Sequence, residues 1–123
     1  MQIDIKSYGF EMSNTLRGHI EREISSSFQY MERKMSNVVV RLFKDSTSTK
    51  QNINSCRVQA VVNGLPHVIT EFRSKNFYHA AGVAILRSKR AITKKLNKRR
   101  ELRKRRAVDK YLANQSANQI VAV

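Results

Sequence analysis

The apolar seam of the last helix-forming segment ends at Leu96, and that ending fixes how much of the chain can build a core. Phe77, Ala81, Ala84, Ile85, Ser88, Ile92 and Leu96 recur at helical spacing, the mark of a helix with one face to bury. Beyond Leu96 the apolar positions give out, while Arg99, Arg100, Arg103, Lys104, Arg105 and Arg106 crowd every side. Lys, Arg, Leu and Glu keep helical propensity high there, yet nothing in the stretch can bury a face. The core must therefore come from residues 1–96. Residues 97–113 read as a basic helical extension, and 114–123, which show no clear period, as a disordered tail.

Upstream the period changes several times. Gln2–Tyr8 sets Ile3, Ile5 and Ser7 against Gln2, Asp4 and Lys6, the alternation of a half-buried strand, and Gly9 breaks it. Ser13 is a good N-cap for the pattern that follows. Leu16, Ile20, Ile24, Phe28, Met31 and Met35 step by three and four residues, which predicts an amphipathic helix running to Met35. Val38–Lys44 alternates again, then Asp45–Asn54, rich in Ser, Thr and Asn, reads as a loop. Cys56, Val58, Ala60 and Val62 mark a third strand, and Asn63-Gly64 a hairpin before Val68–Phe72. Pro66 lacks a ladder donor and belongs at the start of that strand or on a sheet edge. The fold class is α+β, in the order β-α-β-β-β-α. Two helices pack on one face of a four-stranded sheet, followed by the basic C-terminal helical extension. The last three strands form an antiparallel meander, and the first can join in parallel through the helical crossover.

Charge narrows the function. Lys plus Arg number 24 against 9 Asp plus Glu, a formal net charge of +15 over 123 residues. Thirteen of the basic residues fall between Arg87 and Lys110, where the acids are Glu101 and Asp109. Such a run predicts a polyanionic partner, because each neutralised phosphate releases condensed counterions. A solvated charged helix usually mixes signs, and this one barely does. Phosphate contact by Lys and Arg positions a protein without reading sequence, so recognition by shape and backbone is the expectation.

No apolar run approaches the length of a membrane-spanning helix, and polar residues interrupt the segment after Met1 that a secretory signal would need. The chain reads as soluble and cytoplasmic, with no membrane partner. Cys56 is the single cysteine and lies on the apolar side of its strand, where a thiol is inert. His19, His67 and His79 lack metal-ligand spacing. Glu21 and Glu23, two apart on a helix, face different ways and cannot form an acid–base pair. With no phosphate-binding glycine loop and no H-E-x-x-H, no enzyme, cofactor or metal is expected. Phe77 belongs to the core. Tyr78 and His79, beside the start of the second helix, read as packing residues, with base stacking the less favoured role. Arg41 and Arg57 alternate away from the core set. They read as solvent-facing charges of a one-sided sheet, or as an extension of the basic surface.

Several stretches, taken in order, resemble the short ribosome hibernation-promoting factors, the family that includes ribosome-associated inhibitor A, or protein Y. Met1-Gln2-Ile3-Asp4-Ile5 looks like the family's opening strand, and Glu11-Met12-Ser13-Asn14-Thr15-Leu16-Arg17 like the beginning of its first helix. Gln29-Tyr30-Met31-Glu32-Arg33 resembles the end of that helix. Val62-Asn63-Gly64 is similar to its hairpin, and Asn76-Phe77-Tyr78-His79-Ala80-Ala81 to the start of helix two. The likeness covers residues 1–100. It implies a β-α-β-β-β-α domain that binds the small ribosomal subunit between head and body, competing with mRNA and tRNA in the decoding channel and blocking translation by occupancy. It also implies rRNA binding by Arg17, Arg87, Arg90, Lys94 and Lys95, to which the charge run adds Lys98, Arg99, Arg100 and Arg103. The free protein is expected to be a monomer.

Asn76 stands where the family usually has Asp. The segment after Leu96 is longer and more basic than in typical short members, and the tail from Ala107 is nearly neutral, unlike the acidic tail of protein Y. A general structured-RNA-binding or ribosome-associated structural protein is the alternative function. The double-stranded RNA-binding domain is its specific form, disfavoured because that domain begins with a helix.

Overall fold

In the computed structural model, which describes residues 1–44 and 53–121 and side chains as far as residue 115, the elements are β1 (Gln2–Tyr8), α1 (Asn14–Ser27), β2 (Met35–Lys44), β3 (Asn54–Val62), β4 (Val68–Ser74) and α2 (Phe77–Val121). A short 3-10 turn, Glu32–Lys34, precedes β2. The strands form one sheet in the order β1-β2-β3-β4, with β1 parallel to β2 and the other neighbours antiparallel. Most of the loop expected over Asp45–Asn54 lies outside the described residues. Contacts divide the chain into two compact units, Met1–Ile92 and Thr93–Val123.

Within Met1–Ile92 the core is one-sided. Ile5, Val38, Val40, Leu42, Cys56, Val58, Ala60 and Val62 are buried, while their alternate neighbours are half-buried or exposed. Against that face lie Leu16, Ile20, Ile24 and Phe28 from α1 with the residue after it, and Ala80, Ala81, Ala84, Ile85 and Ile92 from α2. Each large aliphatic side chain taken fully from water contributes about 1.5–3 kcal/mol. Both helices cover the same sheet face, as the two apolar seams require. Thr70 Oγ1 of β4 donates to the carbonyl of Ala84 at 2.9 Å, tying sheet to helix. Two ring contacts close the seam between the start of α2 and the α1 side. Phe10 stacks on Phe77 at 4.4 Å, and Tyr78 meets His19 edge-on at 4.9 Å.

Local chemistry sets the ends of the elements. Ser13 caps α1, its hydroxyl accepting from the Leu16 amide at 3.1 Å. Asn76 does the same for α2, its Oδ1 accepting from the Tyr78 amide at 2.9 Å. Gly9 has φ of 82° and sits where a Cβ would lie 3.0 Å from the Lys44 carbonyl oxygen, so the break after β1 requires glycine.

The structure corrects two expectations. The first helix stops at Ser27 instead of reaching Met35. Ser25-Ser26-Ser27 are weak helix formers, and the backbone passes into tighter turns. The Met31 amide bonds the Phe28 carbonyl at 3.0 Å and the Lys34 amide bonds that of Met31 at 2.9 Å. Met35, still buried, opens β2 instead. The hairpin at Asn63-Gly64 is present as expected, and the second correction concerns Pro66, which precedes β4 instead of starting it. The Leu65 amide bonds the Val62 carbonyl at 3.1 Å, and of the two central residues only Gly64 has positive φ, at 79°. That is a type II turn, and Pro66 lies in the connection outside β4. The helical bounds of α2 also include residues 114–121, expected to be disordered. Once a helix is nucleated, each further residue adds a hydrogen bond at low cost. Among the described residues no helix is long and apolar enough to cross a membrane.

Candidate nucleic-acid interface

The candidate residues fall in both compact units. In Met1–Ile92, Arg17 is exposed on α1, and Arg87 and Arg90 are exposed on α2. Arg87 is held in place: its guanidinium lies 4.8 Å from the centroid of the Phe72 ring and donates to the Glu71 carbonyl at 3.4 Å. A planar cation over an aromatic face is a favourable pairing, and it leaves the guanidinium edge available to an anion. Phe72 in turn meets His79 edge-on at 5.5 Å. His79 and Tyr78 thus both engage other side chains while remaining exposed.

In Thr93–Val123, Lys94, Lys95, Lys98, Arg100 and Arg103 are exposed and Arg99 is half-buried. At about 100° per residue, these side chains do not share one stripe. Lys94, Lys98 and Arg105 run along one line of the helix and Lys95, Arg99 and Arg106 along a second. Arg100 and Lys104 occupy the opposite side. Ten basic residues in this unit stand against Glu101 and Asp109. The result is a helix whose positive potential surrounds it, suited to phosphates approaching from several directions at once.

Reading the sequence for basic residues did not single out Lys104, Arg105, Arg106 and Lys110 as site residues, although their charge lay in plain view. It placed Arg41 and Arg57 on the uncovered sheet face but missed the aromatic pair there, Tyr8 and Phe43, which stack at 4.9 Å. The signal was present in the alternation, which sets Lys6 and Tyr8 opposite Ile5.

Other chemistry is muted. Burial, aided by the negative charge of Glu71, pushes the Cys56 thiol up to about 12, so the thiolate is not formed at neutral pH. Among the described residues no group of three His, Cys, Asp or Glu side chains could hold a metal ion.

No protein-family model matches this chain, and no curated protein matches it in sequence. Solved structures do. A ribosomal subunit interface protein from Coxiella burnetii superposes with a TM-score of 0.68 at 14% identity, over 79% of this chain and 99% of that one. The N-terminal domain of Protein Y from Thermus thermophilus superposes with a TM-score of 0.63 at 17% identity, over 76% of this chain and 98% of that domain. The chain therefore has the α+β fold of these two proteins, of which it spans nearly the whole length.

Proposed function

We propose that this protein is a ribosome-associated translation inhibitor of the hibernation type, bound to rRNA of the small subunit in the channel used by mRNA and tRNA. The observation that carries the proposal is a helix with cations around its whole circumference, following a domain with the fold of a ribosomal subunit interface protein. A helix lying on a duplex uses one side. One that enters a crevice walled by RNA can use all of them, each neutralised phosphate adding counterion release. Lys94, Lys95, Lys98, Arg99, Arg100 and Arg103 would contact phosphates there, while Arg17, Arg87 and Arg90 would do so from Met1–Ile92. Inhibition then needs no chemistry, only occupancy. The protein acts as a monomer in the cytoplasm and requires no cofactor.

Phosphate contact by Lys and Arg, which reads no sequence, also suits general structured-RNA binding, and one experiment separates the readings. The purified chain is sedimented with separated small and large subunits, with and without mRNA and initiator tRNA. Small-subunit binding that those ligands displace is the expected result. Equal binding to both subunits, indifferent to ligand, would leave a general RNA-binding protein.

A further inference from the structure

The sheet face that the helices leave uncovered carries an aromatic and cationic array that the helical interface does not use. Strand register places Tyr8, Phe43, Ser55 and Arg73 in one row across the four strands, and Lys6, Arg41, Arg57 and Glu71 in the next. Alternation puts these rows on the side opposite the buried Ile5, Leu42, Cys56 and Val58. The Tyr8 and Phe43 rings are nearly parallel, 12° apart at 4.9 Å, and the Arg57 guanidinium lies 5.9 Å from the Phe43 ring centroid. Phe43 is thereby flanked by Arg57 and Tyr8. Tyr8, on edge strand β1, is 43% exposed.

The neighbouring row is unusual in its charge. Lys6 faces Arg41, and Arg41 faces Arg57. Like charges directly opposite each other across strands are destabilising. Arg57 finds Glu71 at 3.2 Å, whereas Arg41 donates to the neutral Gln59 at 3.2 Å. With Asp4 the face has two carboxylates against Lys6, Arg41, Arg57 and Arg73. A pocket of about 300 Å³ opens beside the stack, lined by Phe43, Ile53, Ser55 and Arg73.

We propose that this sheet face binds a single-stranded segment of RNA, with a base extending the Phe43–Tyr8 stack and the flanking phosphates over Lys6 and Arg41. Unpaired bases stack on aromatic side chains whatever their identity, and a flanking cationic row tracks the backbone. Duplex RNA presents no free base to stack and fits the array poorly. The array is built from strand residues and uses none of the basic residues of α2, so its failure and that of the ribosome reading are distinguishable.

The test titrates isotopically labelled full-length protein with an unstructured octauridylate and follows the shifts by NMR. Shifts at Tyr8, Phe43, Arg41 and Arg57 are expected, with no comparable response to a short RNA duplex. Shifts confined to α2, or equal sheet shifts with the duplex, would overturn the proposal. Affinity is then compared in a Lys94→Glu/Arg99→Glu/Arg100→Glu background, where helical phosphate contacts no longer dominate. There Tyr8→Ala weakens octauridylate binding by about tenfold. Unchanged affinity in a folded Tyr8→Ala protein would refute the stack, and if that variant does not fold, the shift map on the unchanged sheet decides alone.

Discussion

In Met1–Ile92 each strand and both helices send side chains into a shared core, whereas in Thr93–Val123 no described side chain is fully buried. The first unit carries fourteen basic residues against seven acidic ones in 92 positions, and the second ten against two in 31. The same helix-forming residue types serve in both. What differs is the spacing of apolar side chains, which continues to Ile92 at full burial and weakens at the half-buried Leu96. On the proposed reading, stability belongs to the first stretch and most of the phosphate contact to the second, so that each can be altered largely without the other.

The sharpest way to break that contrast is truncation after Leu96. Circular dichroism and NMR should show a folded domain, while small-subunit affinity at about 150 mM salt falls by a thousandfold or more, as loss of many phosphate contacts implies. A molten product would make the extension a structural element. Next in size is a pair of alanine substitutions read by denaturant unfolding. Phe28→Ala, at a fully buried position, should cost about 3–5 kcal/mol. Leu102→Ala, at an exposed position of α2, should stay within about 0.5 kcal/mol.

A smaller effect tests how dry the core is. Because burial raises the Cys56 thiol from 9.0 to about 12, ionisation is disfavoured in the folded state relative to the unfolded one. That contribution to stability is complete below about pH 9 and is lost as pH rises through 12. The difference between the parent and Cys56→Ala in unfolding free energy should therefore shift against the parent above pH 9, and alkylation at pH 8 should proceed only through unfolding. Rapid alkylation of the native protein would show an open core. Smallest are two changes on α2. Gly82→Ala should stabilise by up to about 1 kcal/mol, since an added Cβ meets nothing within 4 Å. Ser88→Ala should be near neutral or stabilising in thermal melts. Its buried hydroxyl has no hydrogen-bond partner among the described residues, and removing such a group relieves its desolvation cost.

The strands were legible in the sequence because alternation, Gly9 and Asn63-Gly64 agree with one another. β1 spans Gln2–Tyr8 as the alternation predicts. The end of the first helix was not, since Phe28, Met31 and Met35 keep helical spacing whether the backbone continues as helix or tightens into turns that deliver Met35 to the sheet. Periodicity reports which residues are buried, and only the weak propensity of three serines marked the change. At the candidate interface, the cations and their wrapping around the helix follow from sequence and 3.6-residue geometry alone. The seating of Arg87 on Phe72 depends on how α2 meets β4. The row of Lys6, Arg41 and Arg57 depends on the parallel register of β1 with β2. Neither quantity is local, so neither could be read along the chain.

The most direct measurement compares Lys94→Glu/Arg99→Glu/Arg100→Glu with the parent protein in two assays run side by side, thermal unfolding and cosedimentation with small ribosomal subunits across a salt series. The account predicts an unchanged melting transition, no cosedimentation at about 150 mM salt, and a salt dependence reduced by about one unit of slope for each lost phosphate contact. Undiminished cosedimentation of the folded variant, or collapse of the fold itself, would contradict it.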